Sequence, residues 1–355
     1  MKVTDIQTKT TVKQLKEPFV TAIRKVTEIE VISVSVTLST GETGMGAAAP
    51  TYAITGESSE SINAALSGPI SEDLLHVEGG FQQLLCKIQA SCAGNSSAKA
   101  AMDIALHEAY AASKEITLIE LLGGGPLLME NDMTISLGSR QHMEEQMQKH
   151  LGAGYRILKV KLGKNPETDL QTILFLKEKA NGRALFRIDA NQAWKPKEAI
   201  HFIRELERQN VPLELIEQPV KSWDLEGLAY VTNHVHTPVM ADESCATRKD
   251  ALKIVQMRAA DMINIKLMKS GGIREAWAVA DIAEAAGIPC MMGSMMESAA
   301  SVQAAAAIAN AHPNITMYDL DAPAWLQEKS DNLLFGSPYV DLDSPYKPSS
   351  MPEEV

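Results

Sequence analysis

Ile32, Val34, Val36 and Leu38 alternate with Ser33, Ser35 and Thr37, the two-residue period of a half-buried strand. Gly41-Glu42-Thr43-Gly44 follows and predicts a turn. Across 57–122 the apolar residues recur with helical spacing, and Asn95-Ser96-Ser97 predicts a helix start for the run 98–114. Gly123-Gly124-Gly125-Pro126 interrupts that texture. We read it as a loop between domains rather than a phosphate cradle, because the chain contains no GxGxxG or GxxxxGK[ST] spacing.

Beyond residue 130 short apolar runs at 157–161, 185–189, 213–217, 238–242 and 262–266 alternate with amphipathic stretches such as 197–209. Pro196 stands where proline starts a helix. Strand and helix in alternation predict parallel βα units. Each run ends in a charged residue: Lys161, Asp189, Glu217, Asp242 and Lys266, at intervals of 28, 28, 25 and 24 residues. That interval is about one βα unit of a barrel, whose C-terminal strand ends share one mouth. A single aspartate at a strand end reads as a helix cap or a turn. Five charged ends in phase read as the lining of one pocket.

Their chemistry is specific. Asp189, Glu217 and Asp242 pointed at one centre repel one another unless a cation joins them. An all-oxygen donor set favours a hard ion such as Mg²⁺, and no His or Cys at these positions points to zinc. Lys159 and Lys161 are two apart and share a strand face, while Lys266 belongs to a later strand across the mouth. A nearby ammonium or metal ion disfavours the charged form of a lysine, which fits it for general-base work. Alone, Lys159 and Lys161 would read as a solvated edge strand. Here they open the metal-bearing series.

Composition narrows the class. The 355 residues are 45% hydrophobic and 22% charged, ordinary for a globular protein and enough for a large core without staples. A net charge of −12, with only six Phe, four Trp and seven Tyr, disfavours nucleic-acid binding. No apolar run suits a transmembrane helix and the start has no signal core, so a cytoplasmic protein without membrane contact is expected. Cys86, Cys92, Cys245 and Cys290 form no CxxC or zinc pattern and are expected as free thiols. The sequons at Asn95 and Asn314 are read as chance matches.

The motifs Leu158-Lys159-Val160-Lys161, Ile188-Asp189-Ala190-Asn191-Gln192, Ile216-Glu217-Gln218-Pro219, Ala241-Asp242-Glu243-Ser244 and Asn264-Ile265-Lys266-Leu267-Met268-Lys269 resemble those of the enolase superfamily, muconate-lactonizing subgroup. Within it the chain looks most like the dipeptide epimerases typified by L-Ala-D/L-Glu epimerase. The resemblance covers nearly the whole chain. It implies a modified (β/α)7β barrel of the TIM type over 126–321, with an α+β capping domain over 1–125 to which the tail 322–355 contributes. It implies Mg²⁺ on Asp189, Glu217 and Asp242, with Asn191 nearby. Enolase-superfamily sites are known to pair a Lys or His base with Mg²⁺ that stabilises an enediolate. By that resemblance Lys161 and Lys266 are the two acid/base catalysts, and Lys159 contacts the substrate carboxylate and lowers the pKa of Lys161.

Further roles follow from the same likeness. Asp319-Leu320-Asp321 resembles the DxD motif that grips a dipeptide α-ammonium, a task suited to paired acceptors. Thr134, Ser294 and Met296 match substrate-contacting positions. Arg24 lies in a stretch resembling the mobile cap loop of Ala-Glu epimerases, where an Arg receives the glutamate carboxylate. Val20 stands where some of those enzymes carry a Lys. The expectation is a Mg²⁺-dependent isomerase of the L-Ala-D-Glu/L-Ala-L-Glu pair, acting in murein peptide recycling as a homo-oligomer. The alternatives are an o-succinylbenzoate synthase or muconate cycloisomerase-type lyase on the same scaffold, and a barrel that has lost catalysis. His234 and His236 lie outside the constellation and are expected to be surface or packing residues.

Overall fold

The structure is a computed structural model and describes residues 1–163, 165–327 and 335–342. Two long strands, β1 (Val3–Val20) and β2 (Lys25–Leu38), form an antiparallel hairpin, and β3 (Thr43–Ala48) completes a three-stranded sheet. The alternation at 32–38 lies inside β2. β1 escapes a reading by pattern because its apolar residues are sparse between Thr, Lys and Gln, and most of its positions are partly buried or exposed.

The sheet packs on the helix Ser96–Ala112 at very close range. A Cβ added to Gly46 would lie 2.0 Å from Ala101 O, and one added to Gly44 would lie 2.1 Å from Ala109 N. Only glycine lets the backbones approach so closely. That helix starts two residues before the expected 98. Asn95 occupies the cap in a left-handed conformation (φ 50°) without capping through its side chain. The Glu57 carboxylate does the capping instead, accepting from Ser97 N (2.9 Å) and Ala98 N (3.3 Å). An anion there also complements the helix dipole.

A short strand β4 (Leu128–Glu130) precedes the second layer. Eight parallel strands follow in sequential order: β5 (Met133–Ile135), β6 (Ile157–Lys161), β7 (Leu185–Asp189), β8 (Leu213–Glu217), β9 (Val239–Ala241), β10 (Met262–Ile265), β11 (Cys290–Gly293) and β12 (Ile315–Asp319). The sheet curls until Asp132 N donates to Tyr318 O (3.3 Å), next to an Asn131–Tyr318 bridge, so the barrel nearly closes. Helices connect the strands. Pro196–Arg208 is offset by one residue from the expected 197–209, with Pro196 in its first turn. β9 and β10 stop one residue early, so Asp242 and Lys266 stand just past the strand ends. β5, β11 and β12 were not legible in the pattern: β5 has only three residues, and β11 is apolar without alternation.

Inside the barrel Leu215, Met240, Met291 and Met317 form one buried apolar cluster, and the buried Arg187 reaches Met291 from its ion pair with Asp132. Two contacts tie the first layer to the loop after β10. Asp103 Oδ1 accepts from Ile273 N (2.7 Å), and Gln89 Nε2 donates to Gly271 O (2.6 Å). Part of the tail returns to β1: Gln327 N donates to Gln14 O (3.0 Å), and Lys16 Nζ to Ala324 O (2.7 Å). β13 (Tyr339–Asp341) pairs antiparallel with β4. The rest of the expected tail, 328–334 and 343–355, lies outside the described residues. All four cysteines are free. Among the described residues no helix is long and apolar enough to cross a membrane.

Candidate active site

Side chains alternate in direction along a strand, so Lys159 and Lys161 on β6 both enter the barrel, as do Asp189 on β7 and Glu217 on β8. One oxygen each from Asp189, Glu217 and Asp242 lies within 4.8 Å of the others, and all three residues are buried. In strand order these carboxylates stand between the two expected acid/base lysines. Lys161 Nζ lies 2.6 Å from Asp189 Oδ2 on one flank, and Lys266 Nζ 2.7 Å from Asp242 Oδ2 on the other. Lys159 is fully buried beneath them, 2.6 Å from both Glu217 Oε2 and Asp319 Oδ2 and 3.5 Å from Asp189 Oδ2.

Burial opposes the charge on Lys159, Lys266 and the three carboxylates of the triad. At Asp189 the ammonium groups of Lys161 and Lys159 outweigh it and hold the carboxyl below the usual range. Lys266 and Lys269 do the same at Asp242 more strongly. Glu217 is the exception: burial and the adjacent Asp189 push it up to about 7 despite Lys159. Lys159 and Lys266 are themselves raised, since neighbouring carboxylates overcome their burial. Glu217 Oε2 lies close to Lys159 Nζ but off the hydrogen-bonding direction. A triad of oxygen donors with one under-neutralised carboxyl fits a hard divalent cation, and such an ion would compete with the lysines for Asp189 and Asp242.

Asn191 was expected beside the triad, whereas Asn264, Lys269, Gln218 and Gly293 carried no role in the sequence reading. Asn191 N donates to Asp189 Oδ1 (2.8 Å) and Asn264 Nδ2 to Glu217 Oε1 (2.9 Å). Lys269 donates to both Asp242 Oδ1 and Asp242 O, and to Asn264 O (3.0 Å). Gln218 Oε1 accepts from Asp242 N (2.9 Å) and Ser244 N (3.0 Å). Gly293 makes room for this group: an added Cβ would lie 2.5 Å from Asn264 Oδ1 and 3.0 Å from Lys266 Cε. Asn264 was findable, being two residues before Lys266 on one strand face. Gly293 and Gln218 were not, because their roles depend on neighbouring strands.

A cavity of about 40 Å³ opens above the triad, lined by Arg24, Thr134, Lys161, Asn191, Lys266, Ser294, Met296, Asp319 and Asp321. The structure thus gathers the expected substrate contacts in one place, with Lys159 just below. Phe19, Thr21, Ile23, Ile54 and Met295 join the lining and were not foreseen. The turn between β1 and β2 is the roof. It is pinned by Leu137 N donating to Val20 O (3.0 Å) and Val20 N to Ser136 Oγ (2.7 Å). Burial lowers the pKa of Arg24, and among the described residues no carboxylate pairs with its guanidinium. Asp321 Oδ2 accepts from Thr134 N (2.8 Å) and Trp325 Nε1 (3.2 Å). Burial and Asp319 push Asp321 up, whereas Lys159 overcomes burial at Asp319 and holds it at about 2.

Two histidine-bearing regions stand apart. Asp281, Glu284 and His312 cluster elsewhere on the molecule. His312 Nδ1 accepts from Asn314 N (3.2 Å), which leaves the proton of the neutral ring on Nε2, facing Asp281 (3.3 Å). A donor in that direction suits a hydrogen bond rather than metal ligation. His234 and His236 are exposed, as expected.

Comparison with known proteins gives the same architecture. Residues 4–123 match the mandelate racemase / muconate lactonizing enzyme N-terminal domain, and residues 142–351 match the enolase C-terminal domain-like family. The L-Ala-D/L-Glu epimerase of Clostridium acetobutylicum is 42% identical over 92% of this chain and 90% of its own. A substrate-liganded L-Ala-D/L-Glu epimerase from Bacillus subtilis superposes with a TM-score of 0.91 at 41% identity, covering 92% of each chain. A dipeptide epimerase from Enterococcus faecalis, complexed with Mg and L-Leu-L-Tyr, superposes with a TM-score of 0.92 at 34% identity, covering 96% of this chain and 97% of that one. The chain therefore belongs to the mandelate racemase / muconate lactonizing enzyme family of the enolase superfamily, alongside its dipeptide epimerases.

Proposed function

We propose that this protein is a Mg²⁺-dependent dipeptide epimerase that inverts the α-carbon of the C-terminal residue. Its substrate pair on this reading is L-Ala-D-Glu and L-Ala-L-Glu, as in murein peptide recycling. The observation that carries the proposal is the placement of Lys161 and Lys266 on opposite flanks of one carboxylate triad.

Asp189, Glu217 and Asp242 would hold the ion, which would supply charge neutralisation for the substrate carboxylate. One lysine removes the α-proton and the other delivers a proton to the opposite face, so the configuration inverts. Lys159 supplies a further ammonium to the carboxylate. Asp319 and Asp321 take the α-ammonium, a partner that a lyase substrate of the o-succinylbenzoate or muconate type lacks. The half-buried guanidinium of Arg24, paired with no carboxylate among the described residues, favours an anionic side chain.

A screen of L-Ala-L-X dipeptides in D₂O tests the specificity, with α-deuteration followed by mass spectrometry. Anionic X is expected to exchange fastest. A hydrophobic or cationic X as the best substrate removes the role of Arg24. Lys266→Ala tests the two-base assignment. It is expected to abolish epimerisation, as losing a positioned acid/base costs about 10²–10⁴-fold, and to keep α-proton exchange for one isomer at most. Full epimerisation by that variant would refute the assignment.

A further inference from the structure

Glu243 directly follows Asp242, just past the end of β9. Both of its carboxylate oxygens are buried without a hydrogen-bond partner, and among the described residues no other carboxylate is orphaned at both oxygens. Its electrostatic neighbours are Asp242, Asp189, Lys266 and Lys269. The first two are triad members, so the buried, unpartnered carboxylate lies within electrostatic range of the triad. It does not join the three oxygens that converge within 4.8 Å.

A buried acceptor pair with no protein donor is costly unless a ligand satisfies it. Three protein carboxylates do not fill the shell of a Mg²⁺ ion, which keeps several waters when protein-bound, and each such water is a hydrogen-bond donor. We propose that Glu243 is an outer carboxylate of the metal centre, accepting hydrogen bonds from water held by the ion and adding its charge to the site without ligating the ion. This rests on the metal-dependent reading above.

Glu243→Gln keeps the shape and removes the charge. Mg²⁺ binding to the EDTA-stripped full chain is measured by calorimetry, and thermal melting is followed with and without Mg²⁺. Loss of an outer-shell partner typically weakens metal binding by about 10–100-fold, and that is the expected loss. At pH 8 the stripped variant should melt higher than the stripped wild type, because an unpaired buried charge is gone, and its gain on adding Mg²⁺ should be smaller. A purely structural carboxylate would lower both melting points.

Glu243→Asp, which keeps the charge with a shorter reach, should bind Mg²⁺ with an affinity between the two. Asp189→Asn separates this inference from the reading beneath it. If Asp189→Asn leaves Mg²⁺ binding intact, the metal-dependent reading fails. If it abolishes binding while Glu243→Gln stays within twofold of wild type, only the role of Glu243 is overturned. A loss at Glu243→Gln as large as at Asp189→Asn also overturns it, by making Glu243 a ligand.

Discussion

Lys161 and Lys266 are each tethered to a carboxylate that a metal ion would also use, and this sets what single substitutions do. Asp189 and Asp242 are neutralised by ammonium groups, whereas Glu217 is pushed up by burial and Asp189, and Glu243 beside Asp242 has no hydrogen-bond partner. Arg24 has no carboxylate partner among the described residues, so on the proposed function its truncation removes a ligand contact without orphaning a protein carboxylate. Arg24→Met should raise KM for L-Ala-Glu by about 10–100-fold, the worth of a charge-assisted hydrogen bond, and leave kcat nearly unchanged. Steady-state kinetics on anionic and neutral dipeptides side by side check this; an equal effect on both would count against a carboxylate contact. The five charged strand ends and Lys159 were legible as residues because chemistry and spacing coincide there. Thr134, Ser294 and Met296 came only through family likeness, since a lone Thr, Ser or Met carries no chemical signature of its own.

At the scale of elements, side chains depend on room left by adjacent strands. β11 contributes Gly293 beside β10, and the absent Cβ is where Asn264 and the stem of Lys266 pass. Gly293→Ala should displace Lys266 and lower kcat by about 10²-fold, the typical effect of misplacing a reacting group by about 1 Å. The melting temperature should change less than the rate, which scanning calorimetry and initial rates together decide. Gly46 is the counterpart in the first layer. Gly46→Ala would set a Cβ 2.0 Å from Ala101 O, and strain of that kind costs about 1–3 kcal/mol or more; urea unfolding should report it without any loss of site residues. Neither glycine was singled out beforehand. Periodicity describes a strand or helix against solvent and core, not how closely a second backbone approaches it. β1 is weak in the pattern for a related reason: only three of its eighteen positions are buried, so its sequence shows little apolar alternation.

For the whole molecule, the acidic barrel mouth links stability to pH and metal. Glu217, Glu243 and Glu297 are all pushed up to about 7 by burial. Between about pH 4.5 and 7 the native state therefore holds protons that the unfolded chain has lost, and stability of the stripped protein falls as pH rises through that window. Asp189, Asp242 and Asp319 act in the opposite sense: their contribution is present above the unfolded carboxyl pKa and is lost as pH falls through their depressed values. EDTA-stripped protein should melt lower at pH 8 than at pH 5, and the stabilisation by Mg²⁺ should grow over the same range. A melting profile with flat pH dependence, or Mg²⁺ stabilisation independent of pH, would contradict this account. The sequence by itself determined which residues carry the chemistry and the repeating βα frame that delivers them, because strand-end position and residue type are local properties written every 24–28 residues. Only the tertiary structure decided that Arg24, from a turn 137 residues ahead of Lys161, reaches the same cavity. It likewise decided that Lys159 sits beneath the triad, that Gly293 clears the path of Lys266, and that Glu243 is left buried without a donor. These are distances between segments far apart in the chain, set by how the barrel curls and where the first layer docks on it, and no run of neighbouring residues encodes them.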